Sequence, residues 1–244
     1  MSFPAKPFHA SSCILFFIKA PKPGSVKSRL AQAIGQEHAT QLYKNFVLDL
    51  LSLLQTLVYQ TLIFYTPADA ENSIQTWLGK DFCYYPQVGE DLGERLENAF
   101  NQAFDLGYQK VIVIGSDSPD LTFNILQTAF LALEDHDGII GPTRDGGYYT
   151  IGFSKLGFIS EVFKDIIWST DTVFKTTLSI LRQHQKNIYQ LPCWYDVDTI
   201  DDLQDFYLKN YQLAPYSQTV KYLFQHQEQV FKSLMNSDFL NRNE

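Results

Sequence analysis

The segment that most constrains the fold of this chain is residues 111–121, with the sequence VIVIGSDSPDL. Its four β-branched residues predict a strand buried on both faces, which is typical of a central strand in a parallel sheet. Gly115 permits a sharp turn where this strand ends. We therefore expect Asp117 just past the carboxyl end of the strand, where open α/β sheets bind their ligands.

These residues alone leave two interpretations of Asp117 open. A carboxylate that a rigid strand holds in place suits a hard divalent cation, such as Mg²⁺ carried on a diphosphate. The same carboxylate could instead cap the turn before the apolar helix that we expect over residues 123–133. The segment favours the two interpretations about equally.

A basic loop follows the apolar run at residues 13–18, which itself predicts a buried strand. Two prolines and a glycine interrupt regular structure in residues 19–30. This loop contains four cationic side chains, which suit a polyphosphate better than a core. They are Lys19, Lys22, Lys27 and Arg29. The glycine spacing differs from that of a Walker A loop, and a solvated basic loop is the alternative.

Residues 87–95 form a glycine-punctuated loop that leads into a helix ending near residue 106. Its notable polar residues are Gln87 and Arg95. In one interpretation the loop contacts a nucleotide base or a substrate. In the other it is an exposed loop in which Arg95 pairs with Asp91 at i, i+4 spacing, worth ~0.3 kcal/mol.

A third loop contains Asp145, Gly146 and Gly147 and precedes an alternating run of aromatic and β-branched residues. This pattern predicts a tight hairpin into a strand antiparallel to its neighbour. The two glycines also allow a ligand to approach the backbone closely. Because such hairpins are common, the pattern alone says little about function.

Two further acids, Asp196 and Asp198, alternate on a segment that we expect to be extended, so they face the same way. Two like charges at one place need a compensating cation or open water. Asp201 and Asp202 begin the next helix, where acids favour the positive end of the helix dipole.

Composition excludes several classes of function. The net charge of −8 and the pI near 5.1 argue against nucleic acid or an anionic membrane as the main partner. No apolar run approaches the ~20 residues of a membrane span. Three scattered cysteines, Cys13, Cys83 and Cys193, predict buried free thiols rather than disulfides, and a cytoplasmic protein is the default.

Strands and helices alternate along the chain, which predicts a doubly wound α/β fold. We expect a three-layer α/β/α sandwich whose central sheet is mostly parallel with one antiparallel strand. Among the predicted helices are those at residues 36–59, 68–78, 123–133, 159–167 and 172–183. We expect one domain over residues 1–244, with a core at about 12–210 and a helical extension at 211–244. That extension includes a helix at about 217–235 and packs either on the domain or on a second subunit of a homodimer.

Four segments together resemble one known family. They are residues 19–30, 115–121, 145–148 and 196–199, in this order and at this spacing, and residues 87–95 match as well. They look like the DUF2064 family of proposed glycosyltransferases, within the nucleotide-diphospho-sugar transferase superfamily, which has the GT-A fold. The resemblance extends from about residue 14 to residue 203. More distantly, the chain is similar to molybdenum-cofactor guanylyltransferases and to 2-phospholactate guanylyltransferases, which share this fold.

This resemblance implies a metal site that binds Mg²⁺ or Mn²⁺. Asp117 corresponds to the metal-binding aspartate that ends the central strand. Glycosyltransferases of this fold have an Asp-x-Asp motif there, whereas here the second acid, Asp120, is displaced by one residue. Asp196 or Asp198 would then take the second acidic position. Lys19, Lys27 and Arg29 would contact the phosphates.

Three functions follow from this resemblance and the residues. The first is metal-dependent glycosyl transfer from a nucleotide-diphospho-sugar to a small-molecule acceptor, with Asp145 as candidate general base. The second is nucleotidyl transfer, in which a phosphorylated small molecule attacks the α-phosphate of an NTP and releases pyrophosphate. The four cations of the basic loop suit a triphosphate and favour this second reaction somewhat. The third is nucleotide binding without turnover.

Overall fold

A computed structural model describes residues 11–213 and 216–232 of the chain. The described residues form two compact units. The first comprises residues 11–20, 53–115 and 121–195, and the second comprises residues 21–52, 116–120, 196–213 and 216–232. The prediction of a single domain over the whole chain stays a prediction.

A mixed sheet of seven strands makes up the centre of the first unit. Its strands are β1 (Ser12–Lys19), β2 (Gln60–Thr66), β3 (Cys83–Pro86), β4 (Lys110–Ile114), β5 (Gly138–Pro142), β6 (Tyr148–Ser154) and β7 (Ile188–Gln190). Their order is β3-β2-β1-β4-β6-β5-β7. β6 is antiparallel to both β4 and β5, and the other pairs are parallel. The predicted mostly parallel sheet with one antiparallel strand is therefore confirmed.

Eight α-helices accompany the sheet in the described residues. They are α1 (Ser28–Ile34), α2 (Gln36–Leu54), α3 (Glu71–Leu78), α4 (Leu92–Asp105), α5 (Phe123–Ala132), α6 (Val173–Gln183), α7 (Ile200–Asn210) and α8 (Gln218–Val230). No described helix combines the length and the apolar character that a membrane span requires. The alternation of strands and helices confirms the predicted α/β fold.

The core of the first unit contains β4 and a cluster of aromatic side chains. Val111–Ile114 are all at most 5% exposed, as their β-branched sequence predicts. Phe100 of α4 contacts both Phe153 and Phe163, with ring centroids 5.4 and 5.8 Å away. Aromatic contacts of this kind add to the burial of apolar surface.

The second unit contains α1, most of α2, α7 and α8. Phe46 of α2 packs beside Phe206 of α7, with ring centroids 6.4 Å apart. Asp49 of α2 caps α8, because its carboxylate accepts hydrogen bonds from the hydroxyl of Ser217 (2.7 Å) and the N–H of Gln218 (2.6 Å). The described part of the C-terminal extension therefore belongs to this unit. The predicted helix end near residue 235 lies outside the described residues, and the homodimer stays a prediction.

Two predicted element boundaries are wrong. α2 ends at Leu54 rather than near residue 59, because Thr56 turns the chain by bonding the Leu53 carbonyl with both its N–H and its hydroxyl. The loop predicted at residues 19–30 is helical from Ser28 onward, because both prolines, Pro21 and Pro23, lie before that point.

The helix predicted over residues 159–167 is also wrong, since only a 3₁₀ turn at Ser160–Phe163 forms. Asp165 has a left-handed backbone (φ 57°), which prevents continuation of a right-handed helix. Val162 and Phe163 of this turn are buried in the aromatic core. Cys13 is buried as predicted, but Cys83 and Cys193 are exposed. Cys83 lies on β3, the first strand in the order of the sheet that the described residues form.

Candidate functional site

Lys27 is a buried cation at the end of the basic loop. Its side chain is only 2% exposed, and its ammonium lies 5.3 Å from the centre of the Phe46 ring. Its backbone is left-handed (φ 49°, ψ 47°) directly before α1. For a residue with a side chain this conformation costs roughly 1–2 kcal/mol and is concentrated at functional positions.

Two carboxylates share the Lys27 ammonium. The Nζ atom lies 2.5 Å from Oδ1 of Asp117 and 2.9 Å from Oδ1 of Asp198. Arg29 contacts the other oxygen of Asp198, with Nη2 2.6 Å from Oδ2. Burial alone would lower the pKa of Lys27, but the two carboxylates outweigh it and hold the pKa above its usual range. Lys27 is therefore positively charged at neutral pH.

Asp196 lies beside these groups as a third acid. Its Oδ1 accepts a hydrogen bond of 2.8 Å from the hydroxyl of Ser118. Burial raises the pKa of Asp196 to about 7, and the negative charge of Asp117 adds to this effect. We call Lys27, Arg29, Asp117, Ser118, Asp196 and Asp198 the carboxylate cluster. All six residues belong to the second unit.

Backbone contacts hold the acidic segments of the carboxylate cluster together. Asp117 follows the end of β4 by three residues, and its carbonyl accepts a 2.9 Å hydrogen bond from the N–H of Val197. A capping box between Thr199 and Asp202 starts α7 directly after the acids. Val197 is fully buried between Asp196 and Asp198, which fits the extended segment that the sequence predicts.

Asp120 has a different role. One of its carboxylate oxygens accepts a 3.2 Å hydrogen bond from the side-chain amide of Asn210, at the end of α7. This contact ties the segment after β4 to a helix. That Asp120 does not supply the second acid of the site stays a prediction.

The oxygen donors of the carboxylate cluster fit a hard divalent cation in their chemistry, since they are carboxylates and a hydroxyl. Among the described residues of the cluster, three acids face Lys27 and Arg29, and a further positive charge would improve the balance when Asp196 is ionised. Within the described residues, however, no three His, Cys, Asp or Glu side chains already form a metal-binding arrangement. The Lys27 ammonium instead bridges two of the acids.

The turn with Asp145 belongs to the first unit and has the predicted form. β5 and β6 pair as an antiparallel hairpin, and Gly146 has the positive φ of 91° that the turn requires. Oδ1 of Asp145 accepts hydrogen bonds from the hydroxyl of Thr143 (2.5 Å) and the N–H of Gly147 (3.2 Å). A side chain at position 146 would overlap the carbonyl of Asp171, so this turn packs closely against the segment before α6.

Gln87 and Arg95 also lie in the first unit, where they bond to the backbone. The side-chain amide of Gln87 donates to the carbonyls of Ile18 (3.2 Å) and Phe64 (2.9 Å). Nε of Arg95 donates to the carbonyl of Gly89 at 2.9 Å, which folds the loop back on α4. Their contact with a nucleotide stays a prediction.

The alternative interpretation of this loop paired Arg95 with Asp91, and in the structure Asp91 caps α4. The Asp91 carboxylate accepts the N–H of Glu94 at the start of α4. Lys19 is the exposed last residue of β1, and Lys22 is exposed within the basic loop. The structure thus brings Lys27, Arg29, Asp117, Asp196 and Asp198 together among the predicted site residues.

Sequence reasoning missed two members of this environment. Ser118 directly follows Asp117, and only its position beside a candidate ligand could have indicated a role. Phe46 belongs to the apolar stripe of α2, and nothing in that stripe distinguishes the ring beneath Lys27 from its neighbours. The ion pairs of Lys27 with the acids were also missed, because Lys27 was expected to contact phosphate.

The fold is that of the nucleotide-diphospho-sugar transferases. A crystal structure from Desulfovibrio desulfuricans G20, provisionally named a nucleotide-diphospho-sugar transferase, is 40% identical with a TM-score of 0.87, over 91% of this chain and 97% of that one. A 4-diphosphocytidyl-2C-methyl-D-erythritol synthase from Anaerococcus prevotii is 12% identical with a TM-score of 0.55, over 82% and 97% of the two chains. A cytidylyltransferase from Leptospira borgpetersenii is 13% identical with a TM-score of 0.52, over 97% and 98%. The latter two show the fold alone.

The model of DUF2064, described as an uncharacterized protein conserved in bacteria, matches residues 49–170. Together with the 40% identical structure, this match shows that the chain belongs to the DUF2064 family. None of the curated proteins matches the chain.

Proposed function

We propose that this protein is a transferase that uses a nucleotide-activated donor, and that the donor is a nucleotide-diphospho-sugar. The observation that carries the proposal is the carboxylate cluster, in which a buried lysine and an arginine face three acids. A leaving nucleoside diphosphate needs both fixed cations and, in many transferases, a metal held by acids. The name of the Desulfovibrio relative supports the same reaction class.

The acids would hold Mg²⁺ or Mn²⁺. In this proposal Asp117 is one ligand, and Asp196 or Asp198 is the other. When bound, the metal supplies positive charge beside the diphosphate. Arg29 keeps one face of its guanidinium accessible, since its side chain is 67% exposed while it contacts Asp198. It can therefore bind a phosphate oxygen without leaving the acid.

Asp145 is the proposed base for the acceptor hydroxyl. Thr143 and Gly147 both donate to Oδ1, which fixes the orientation of the carboxylate. The exposed position of this turn leaves room for an acceptor to approach. A base needs this combination of fixed orientation and access.

Nucleotidyl transfer is the alternative, and the basic loop favours it. Lys19 and Lys22 add two exposed cations to Lys27 and Arg29, and four cations match the charge of a triphosphate. In this reaction the same cluster would stabilise pyrophosphate as the leaving group. Binding without turnover is the third candidate.

The decisive experiment offers the protein nucleotide-sugars and NTPs, each with Mg²⁺, Mn²⁺ or EDTA. Hydrolysis of, or transfer from, a nucleotide-sugar supports the proposal, and pyrophosphate release from an NTP supports the alternative. Metal-dependent binding with no product in either assay supports the third candidate. A lack of nucleotide binding under every condition would contradict all three.

Variants of two nearby acids sharpen this test. We expect Asp117→Ala to abolish metal-dependent nucleotide binding while the protein stays folded. Asp120→Ala is the matched control, because it removes a nearby acid that bonds to the side-chain amide of Asn210. Unchanged metal-dependent affinity in Asp117→Ala would remove Asp117 from the metal site.

A further inference from the structure

Lys27 is held more tightly than a phosphate-binding lysine in an open loop would be. Its ammonium contacts two carboxylates and a ring, and almost none of its side chain reaches solvent. Lys22 lies five residues earlier in the same loop and is exposed. The burial of Lys27 is therefore a property of its position and is not shared by the loop as a whole.

The oxygens that hold Lys27 are those a metal would need. Oδ1 of Asp117 and Oδ1 of Asp198 both lie within 3 Å of Nζ. Oxygen ligands lie about 2.0–2.6 Å from Mg²⁺ or Ca²⁺. A divalent cation between these two oxygens would occupy nearly the same place as the ammonium, and the two cations would repel each other strongly at that distance. Metal and ammonium therefore compete for one position.

We propose that Lys27 is an exchangeable internal counter-ion, which neutralises Asp117 and Asp198 in the free protein and gives way to the metal when the metal–nucleotide complex binds. This inference rests on the proposed function. The displaced ammonium then binds the diphosphate that arrives with the metal. Lysine suits such an exchange, because its ammonium is a compact charge on a flexible chain.

The charges of the carboxylate cluster support this exchange. Lys27 and Arg29 pair with Asp117 and Asp198 in the free protein, so these two acids are balanced by two cations. Replacement of the ammonium by a divalent cation adds one positive charge, which the arriving diphosphate offsets. Lys27 then needs a new anion, and a diphosphate supplies it. Metal alone offers Lys27 no such partner, so the free protein should bind metal weakly without a nucleotide.

The test measures Mn²⁺ binding by calorimetry with no nucleotide present. We expect Lys27→Met to bind Mn²⁺ at least tenfold more tightly than the wild type, because the competing cation is gone. Lys22→Met removes the same charge from the same loop without contacting the acids, and its Mn²⁺ affinity should stay within twofold of the wild type. Lys27→Gln is a second variant that keeps a polar group of similar length, and it should also gain at least tenfold.

Several results would overturn the exchange. One is equal or weaker Mn²⁺ binding by both Lys27 variants, and another is an equal gain in Lys22→Met, which would indicate only a long-range charge effect. If both Lys27 variants are unfolded alone, refolding upon Mn²⁺ addition, seen by circular dichroism, supports the exchange. Failure of Mn²⁺ to refold them overturns it.

The two proposals fail separately. Turnover of a nucleotide-sugar or an NTP by the wild type, with no gain of Mn²⁺ affinity in the variants, leaves the proposed function standing and removes the exchange. The reverse result, tighter Mn²⁺ binding by the variants with no nucleotide binding by the wild type, keeps the competition for the acids and removes the proposed function.

Discussion

The ion pair between Lys27 and Asp117 can be tested by the change in the free energy of unfolding when Lys27 is replaced. Removal of one partner from a buried pair costs about 3–5 kcal/mol, because the other charge stays buried without compensation. Lys27 is 2% exposed, but Asp117 is 46% and Asp198 29% exposed, and water stabilises the two acids once the lysine is gone. We therefore expect Lys27→Met to lower the free energy of unfolding by about 2–3 kcal/mol. At ~2–4 °C per kcal/mol, the melting temperature should fall by roughly 4–12 °C.

A double-mutant cycle with Asp117→Asn separates this pair from the other contacts of Lys27. Asp117→Asn alone should cost about 1 kcal/mol, since the lysine keeps Asp198 as a partner. A charge-assisted hydrogen bond contributes about 1.5–3 kcal/mol. Because Asp117 is partly exposed to water, we expect a smaller coupling energy of about 1–2 kcal/mol between Lys27 and Asp117. Urea unfolding in EDTA gives the free energy of unfolding of the wild type, the two single variants and the double variant.

The control cycle pairs Lys22→Met with Asp117→Asn. Lys22 is exposed and should show no coupling beyond the ~0.3–0.5 kcal/mol scatter of independent sites. A coupling energy within this scatter for Lys27 and Asp117 would show that their contact does not stabilise the free protein. The account of Lys27 as internal counter-ion would then lose its basis.

Two further substitutions test the acids and the Asp145 turn. Burial raises the pKa of Asp196 to about 7, above the ~3.9 of an unfolded aspartate, so its contribution to stability is complete below pH ~4 and is lost as the pH rises to 7. In EDTA, the free energy of unfolding of Asp196→Asn should therefore be about 1–3 kcal/mol higher than that of the wild type at pH 8, and equal to it near pH 4. A difference that does not change with pH would contradict the raised pKa of Asp196. Gly146→Ala should cost about 2 kcal/mol or more in thermal unfolding, because φ is positive and the methyl group would overlap the Asp171 carbonyl. Gly147→Ala, whose φ is not positive and whose Cβ would lie 3.1 Å from the Thr143 hydroxyl, should cost less, and equal losses would refute this explanation.

The sequence predicted those elements that have a local cause. β4 follows from four consecutive β-branched residues, and the hairpin before β6 follows from Asp145, Gly146 and the alternating run after them. The helix predicted at residues 159–167 was wrong because tertiary packing overrode the local helix preference. The aromatic core accommodates a short turn with Val162 and Phe163 buried.

The candidate site depends on contacts that no local pattern encodes. Lys27 and Asp198 are 171 residues apart in the chain, and both were predicted as site residues for separate reasons. Their types indicated a phosphate contact and a metal ligand, and neither type predicts that the two side chains bind each other. Asp196 shows the same limit, since its pKa depends on burial and on Asp117, which only the fold brings near.

The two cations of the carboxylate cluster differ in a way that suits different tasks. Arg29 is mostly exposed and contacts the outer oxygen of Asp198, so its guanidinium can keep that contact and still offer N–H groups to a phosphate. Lys27 is buried and bridges two acids with one small ammonium, so little of the ammonium is open to a further ligand while both contacts last. In the proposed exchange, the buried lysine links the charge of the acids to the arrival of a nucleotide.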